Sequence, residues 1–264
     1  MAIGASADVV IVDLKDQVSG SARQEARLLA ERWLRVHRQQ IVEQKNVGRW
    51  VRIHSLGTQV WRDDLAAVMS GAPDGIVLSA SAGPDAVRQL AAELYGLEQR
   101  HGIAPGSTRI MPVVGATPEA ALTVQTYLEE RHPRLAGLVW DAETLAATLG
   151  ATRQRDAAGR WTDVFSLVRA HVLLVARVSG LMAIDTAYAR LPDEEGLKAA
   201  AFAAHADGFT GMLALHPAQV PMIHAAFASG EEDGERHSGT AQLQPDRGSV
   251  DLSRVKRGRH ANTR

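Results

Sequence analysis

The residues with the greatest chemical potential in this chain stand at the ends of short apolar runs. Asp13 and Asp16 close VVIVDLKD, Arg52 lies in VRIHS, and Asp141 and Glu143 follow GLVW. Asp185 and Thr186 stand in AIDTAY, and His216 precedes Pro217 in HPAQV. A guanidinium offers the planar, bidentate fork that a carboxylate requires. Carboxylates are the usual holders of a hard divalent cation, and a histidine at a strand end can donate to a carbonyl. The other histidines, His54, His171 and His205 among them, have no metal-ligand spacing. The chain has no cysteine, so thiolate nucleophiles, Cys-ligated zinc, iron–sulfur clusters and disulfides are excluded together.

These residues need a scaffold, and β-branched runs alternating with longer amphipathic stretches predict one. Strands are expected at 9–13, 50–53, 75–78, 109–114, 137–140, 182–184 and 211–215. Helices are expected at 21–39, 63–69, 85–101, 118–131, 143–149, 164–178, 194–205 and 218–227. Such βα units build a parallel sheet covered on both faces. No phosphate-binding glycine turn stands early in the chain, as an open doubly wound sheet would normally carry. The expectation is therefore α/β, a TIM-type (β/α)8 barrel lacking its first βα unit. At 264 residues and 45% hydrophobic content the chain suits one large core. Residues 1–230 are expected to be the barrel, and 231–264 a polar arm or tail that turns basic from Arg254.

Charge excludes further partners. Lys+Arg 29 against Asp+Glu 30 gives a net charge of -1, so no overall field draws the chain to nucleic acid or an anionic membrane. Asp8 and Asp13 interrupt the first apolar run, no basic region precedes it, and no stretch approaches the ~20 apolar residues of a bilayer span. A cytoplasmic location is the expectation.

Taken in order, VVIVDLKD, VRIHS, DGIVLSA, MPVVGATPEA, GLVWDAETLAATLG, AIDTAY and GFTGMLALHPAQV resemble the strand ends of the citrate lyase β-subunit family within the HpcH/HpaI aldolase superfamily. VRIHS is similar to that family's Val-Arg-Ile-Asn-Ser, AIDTAY to Ile-Asp-Thr-Val-Tyr, and HPAQV to His-Pro-Ser-Gln-Val. The resemblance implies a carbon–carbon lyase or aldolase acting on a small keto or hydroxy acid or its thioester of CoA or an acyl carrier. It also implies Mg²⁺ held by a Glu and an Asp, and a homo-oligomer, trimer or hexamer. By the same resemblance Arg52 grips substrate carboxylate, the alternative being an ion pair with Asp13 or Asp16, and Asp251, in DRGSVD, is the acid/base; at their own strand ends Asp185 and Thr186 either contact substrate or orient neighbours, and His216 either donates to a substrate carbonyl or fixes its loop. Asp16 is a second catalytic candidate.

The metal positions depart from that pattern. Gly115 stands where the resemblance places the ligating Glu, and Thr144 where it places the Asp. Asp141 and Glu143 are the possible substitutes, while Glu119 reads as a first-turn acid. Lys15 replaces an acid, and Leu78-Ser79-Ala80 replaces Leu-Pro-Lys. The family's opening strand and helix precede the segment matching Ala7–Asp13, so another segment or subunit is expected to cover the gap, unless the start lies further upstream. Three functions follow: a lyase with a degenerate Mg²⁺ site, an inactive homologue that binds or regulates, paired with a catalytic relative, or an altered enzyme that uses Lys15, His216 or Asp185 for metal-independent acid–base work. If the alignment holds, Gly115→Glu with Thr144→Asp should create Mg²⁺ affinity.

Overall fold

The structure is a computed structural model that describes residues 7–15, 22–39 and 47–237. Within these residues seven parallel strands form one sheet in chain order: β1 (Val9–Asp13), β2 (Gly48–Ile53), β3 (Gly75–Leu78), β4 (Arg109–Val114), β5 (Gly137–Trp140), β6 (Met182–Asp185) and β7 (Gly211–Met212). Each strand pairs in parallel with the next, from Val9 opposite Gly48 to Asp185 opposite Met212. The sheet curls into the incomplete α/β barrel expected from the strand pattern.

Among the described residues eight α-helices connect or follow the strands: α1 (Arg23–Gln39), α2 (Trp61–Val68), α3 (Pro84–His101), α4 (Pro118–Leu122), α5 (Ala142–Leu149), α6 (Asp163–Val178), α7 (Glu194–Asp207) and α8 (Val220–His237). Side-chain alternation along the strands makes two cores. Val51, Ile53, Ile76, Leu78, Ile110, Leu138 and Trp140 pack against the helices. Trp50, Val77, Met111, Val113 and Val139 fill the barrel interior. Trp50 is the largest plug, and it requires glycine at 75, where a Cβ would lie 2.5 Å from the indole.

Three elements differ from expectation. The helix expected over 118–131 ends at Leu122 and continues as a 3-10 turn, Val124–Leu128. There the Thr123 hydroxyl donates to the Glu119 and Ala120 carbonyls, competing with regular helix bonds. β7 has two residues rather than five: the bond from Leu213 N–H to the Asp185 carbonyl is the last of its ladder with β6, and beyond it the chain enters the His216 turn. Helix α8 runs from Val220 to His237, ten residues past the end expected at 227. Among the described residues no helix is long and apolar enough to cross a membrane.

Candidate active site

Because β-strand side chains alternate, Asp13, Arg52, Ser79 and Asp141 share the interior parity and gather at the C-terminal ends of β1, β2, β3 and β5. That is where barrel enzymes place their chemistry. Arg52 is the hub. Its Nη2 donates to Asp141 Oδ2 at 3.1 Å, Nη1 to Asp13 Oδ2 at 3.4 Å, and Nε to Ser79 Oγ at 3.3 Å. The Ser79 hydroxyl donates in turn to the Ile53 carbonyl at 2.7 Å, which fixes the oxygen that Arg52 uses.

Asp141 is held equally firmly. It is the N-cap of α5, accepting from Thr144 N–H at 3.0 Å and from the Thr144 hydroxyl at 2.7 Å. Burial would raise its carboxyl, but the two Thr144 donors and the Arg52 guanidinium outweigh burial and hold it below the usual aspartate value. Asp141 thus stands three positions before Thr144 at the start of α5, its carboxylate bound to the Arg52 guanidinium. Glu143 is exposed on the same turn. Asp13 also accepts from the Lys15 backbone N–H at 2.8 Å.

Gly115 adopts φ +68, and a Cβ there would meet Val168 Cγ1 of α6 at 2.5 Å. The bond that would carry a side chain at 115 therefore points into the sheet–helix layer. A glutamate at 115, in the pair Gly115→Glu with Thr144→Asp expected to create Mg²⁺ affinity, would first have to displace Val168. Among the described residues no group of three His, Asp or Glu side chains is placed to hold a metal ion.

Other sequence candidates separate into different environments. Asp185 is buried on the helix side of β6. Arg169 donates to it from Nε at 3.0 Å and Nη2 at 2.8 Å, Trp140 Nε1 at 2.6 Å, and Thr186 N–H at 2.9 Å. Burial works against the Arg169 charge, but Asp185 and Asp207 raise its pKa above the usual arginine value. With its acceptors engaged, Asp185 orients Arg169 and Trp140 rather than facing the mouth. The Thr186 hydroxyl accepts from Ala142 N–H at 3.1 Å, tying β6 to the start of α5. Exposed His216 accepts from Ala218 N–H at 3.2 Å and caps a 3-10 turn, a loop-fixing arrangement. Asp16 and Asp251 lie outside the described residues.

Sequence reading missed Ser79 as the acceptor for Arg52, and Arg169 as the partner of Asp185. A cleft of about 350 Å³ opens beside Ser79, lined among others by Ser55, Gly57, Ala80, Ser81, Thr117 and Glu119. Its volume lies within the range of small-molecule sites. Ala80 sits there at φ 48, a left-handed conformation uncommon for alanine.

Comparison with known proteins locates this arrangement. The family model described as HpcH/HpaI aldolase/citrate lyase matches residues 1–217. A citrate lyase subunit β-like protein of Mycobacterium tuberculosis is 33% identical over 228 residues, covering 86% of this chain and 74% of that protein. The solved M. tuberculosis citrate lyase β subunit complexed with oxaloacetate and magnesium is 30% identical with a TM-score of 0.66, covering 85% of this chain and 88% of that one. Protein CitE of the same organism, solved with magnesium, acetoacetate and coenzyme A, is 27% identical with a TM-score of 0.64 over 90% of this chain and 82% of that one.

Proposed function

The chain belongs to the HpcH/HpaI aldolase/citrate lyase family, and on that premise we propose that it binds a small keto or hydroxy acid, free or as an acyl thioester, through Arg52 and without magnesium. The observation that carries this reading is the Arg52 guanidinium set among Asp13, Ser79 and Asp141 at the mouth. Its fork geometry suits a carboxylate, and the cleft beside Ser79 has room for the remainder of such a ligand.

The donor set does not fit magnesium. Mg²⁺ favours six oxygens in octahedral geometry, usually including one or two carboxylates. Gly115 supplies no side chain, the Thr144 hydroxyl donates to Asp141, and Asp141 faces Thr144 and Arg52. Losing a Lewis acid that contributes about 4 kcal/mol to the transition state slows cleavage roughly a thousandfold. No step through a metal follows from these residues. Binding, alone or beside a catalytic relative, is the function they support.

Titration calorimetry of the full chain with oxaloacetate, with and without Mg²⁺, tests this. The expected result is binding that ignores Mg²⁺ and weakens at least about tenfold in Arg52→Ala, since a charge-assisted pair is worth about 1.5–3 kcal/mol. Oxaloacetate binding that requires Mg²⁺, or that survives in Arg52→Ala, would overturn the proposal.

A further inference from the structure

His54 is the first residue beyond β2, and two helices combine to fix its ring. Nδ1 lies 2.7 Å from Asp64 Oδ2, and the backbone N–H of His54 reaches the same oxygen at 3.2 Å. Asp64 stands in the first turn of α2 with its side chain 1% exposed, and it also accepts from Arg27 Nε of α1 at 2.9 Å. A carboxylate surrounded by donors in this way acts as acceptor throughout, so the ring hydrogen that faces it belongs to Nδ1. A buried aspartate on Nδ1 sets both the tautomer and the orientation of an imidazole. The consequence falls on the other nitrogen: in a neutral ring that donates from Nδ1, Nε2 can only accept.

Nothing in the fold uses that acceptor. Among the described residues the buried side-chain nitrogens and oxygens without a partner are Arg23 Nε and Thr108 Oγ1. His54 Nε2 also makes no hydrogen bond among them, so it is open to solvent. Stapling β2 to α2 needs the Nδ1 donor alone, which an asparagine amide would supply as well. The position adjoins the candidate site on both sides in the chain. The Ile53 carbonyl accepts from Ser79, the serine that Arg52 holds, and Ser55 lines the cleft. Arg52 itself is two residues back, about 7 Å of extended chain.

We propose that His54 determines the specificity of the Arg52 site, its Nε2 accepting a hydrogen bond from the hydroxyl of a hydroxy acid whose carboxylate lies on Arg52. This rests on Arg52 as the partner of the carboxylate. A ketone oxygen is itself an acceptor, and set against Nε2 it leaves two lone pairs facing each other. The site therefore disfavours the keto acid of the same skeleton.

Malate and oxaloacetate differ in that one group. Titration calorimetry of the full chain with each, under mildly alkaline conditions and without Mg²⁺, should show one enantiomer of malate bound about tenfold or more tightly than oxaloacetate, the worth of one hydrogen bond. His54→Asn, which keeps a donor for Asp64, should remove the preference and leave the circular dichroism melt unchanged. NMR of the ring nitrogens in the wild-type chain gives a reading that needs no variant: the free ring should be the Nδ1–H tautomer, and malate should shift the Nε2 resonance. Equal affinities that both depend on Arg52 overturn the specificity role and leave the carboxylate reading standing. So does a preference that survives in His54→Asn, or an Nε2–H tautomer. Binding of neither acid, or binding of both that survives in Arg52→Ala, overturns the two together.

Discussion

Replacing Gly115 by alanine isolates the backbone feature that keeps a side chain out of the mouth at the end of β4. Two costs add. Holding an alanine at φ +68 costs about 1–2 kcal/mol, and forcing a methyl group to within 2.5 Å of Val168 Cγ1 adds about 1–3 kcal/mol of overpacking. The expected loss is about 2–5 kcal/mol, which at a urea m-value of about 3 kcal/mol/M moves the unfolding midpoint by roughly 1 M. Measuring the same change in a Val168→Ala background separates the terms: the collision should disappear while the conformational cost remains, giving a coupling energy of about 1 kcal/mol or more. A Gly115→Ala loss below about 0.5 kcal/mol, or no coupling to Val168, would refute the assigned direction of the 115 side chain. Gly115→Glu should accordingly leave Mg²⁺ binding unchanged by calorimetry.

Two buried ion pairs give further tests. Burial would raise the Glu98 carboxyl, but the bidentate Arg134 guanidinium at 2.6 and 2.7 Å and the N–H groups of Gly106 and Thr108 bring it down from 4.5 to about 2. Because the folded value lies below the unfolded one, the carboxylate stabilises fully above about pH 4.5 and that contribution is lost as pH falls towards 2. It is on the order of 3 kcal/mol, and Glu98→Gln should flatten the acid limb of stability measured by denaturant titration. Asp185→Ala should lower stability by about 3–5 kcal/mol, since it strips Arg169 of its buried partner and leaves the Trp140 indole N–H without an acceptor; urea unfolding followed by tryptophan fluorescence reads this directly.

Much of the scaffold was legible because β-branched runs of four to six residues specify buried parallel strands, and because Thr117 with Pro118 marks the start of α4 and Gly180 the stop after α6 by local chemistry. The break in α4 was not, since it depends on which carbonyl the Thr123 hydroxyl takes. In the candidate site, sequence identified Arg52 and the uncharged positions 115 and 144. It did not reveal that Asp141 would reach a guanidinium 89 residues away in the chain, because that contact exists only once β2 and β5 share a barrel mouth. Nor does a missing ligand at 115 disclose the direction of its Cβ bond, which a positive φ alone sets. Asp185, for which the sequence left open substrate contact or the orienting of neighbours, holds Arg169 and Trp140, because one step of strand parity separates the mouth from the helix layer.

The pairing of Arg52 with Asp141 has a quantitative consequence for any entering acid. Asp141 is a carboxylate tethered to the same scaffold, so it competes with every visitor at an effective concentration that dilution cannot lower. Simple monoacids at cellular trace levels would lose that contest. A ligand wins by bringing a second point of attachment, so the internal rival works as a threshold that admits molecules according to how many handles they carry.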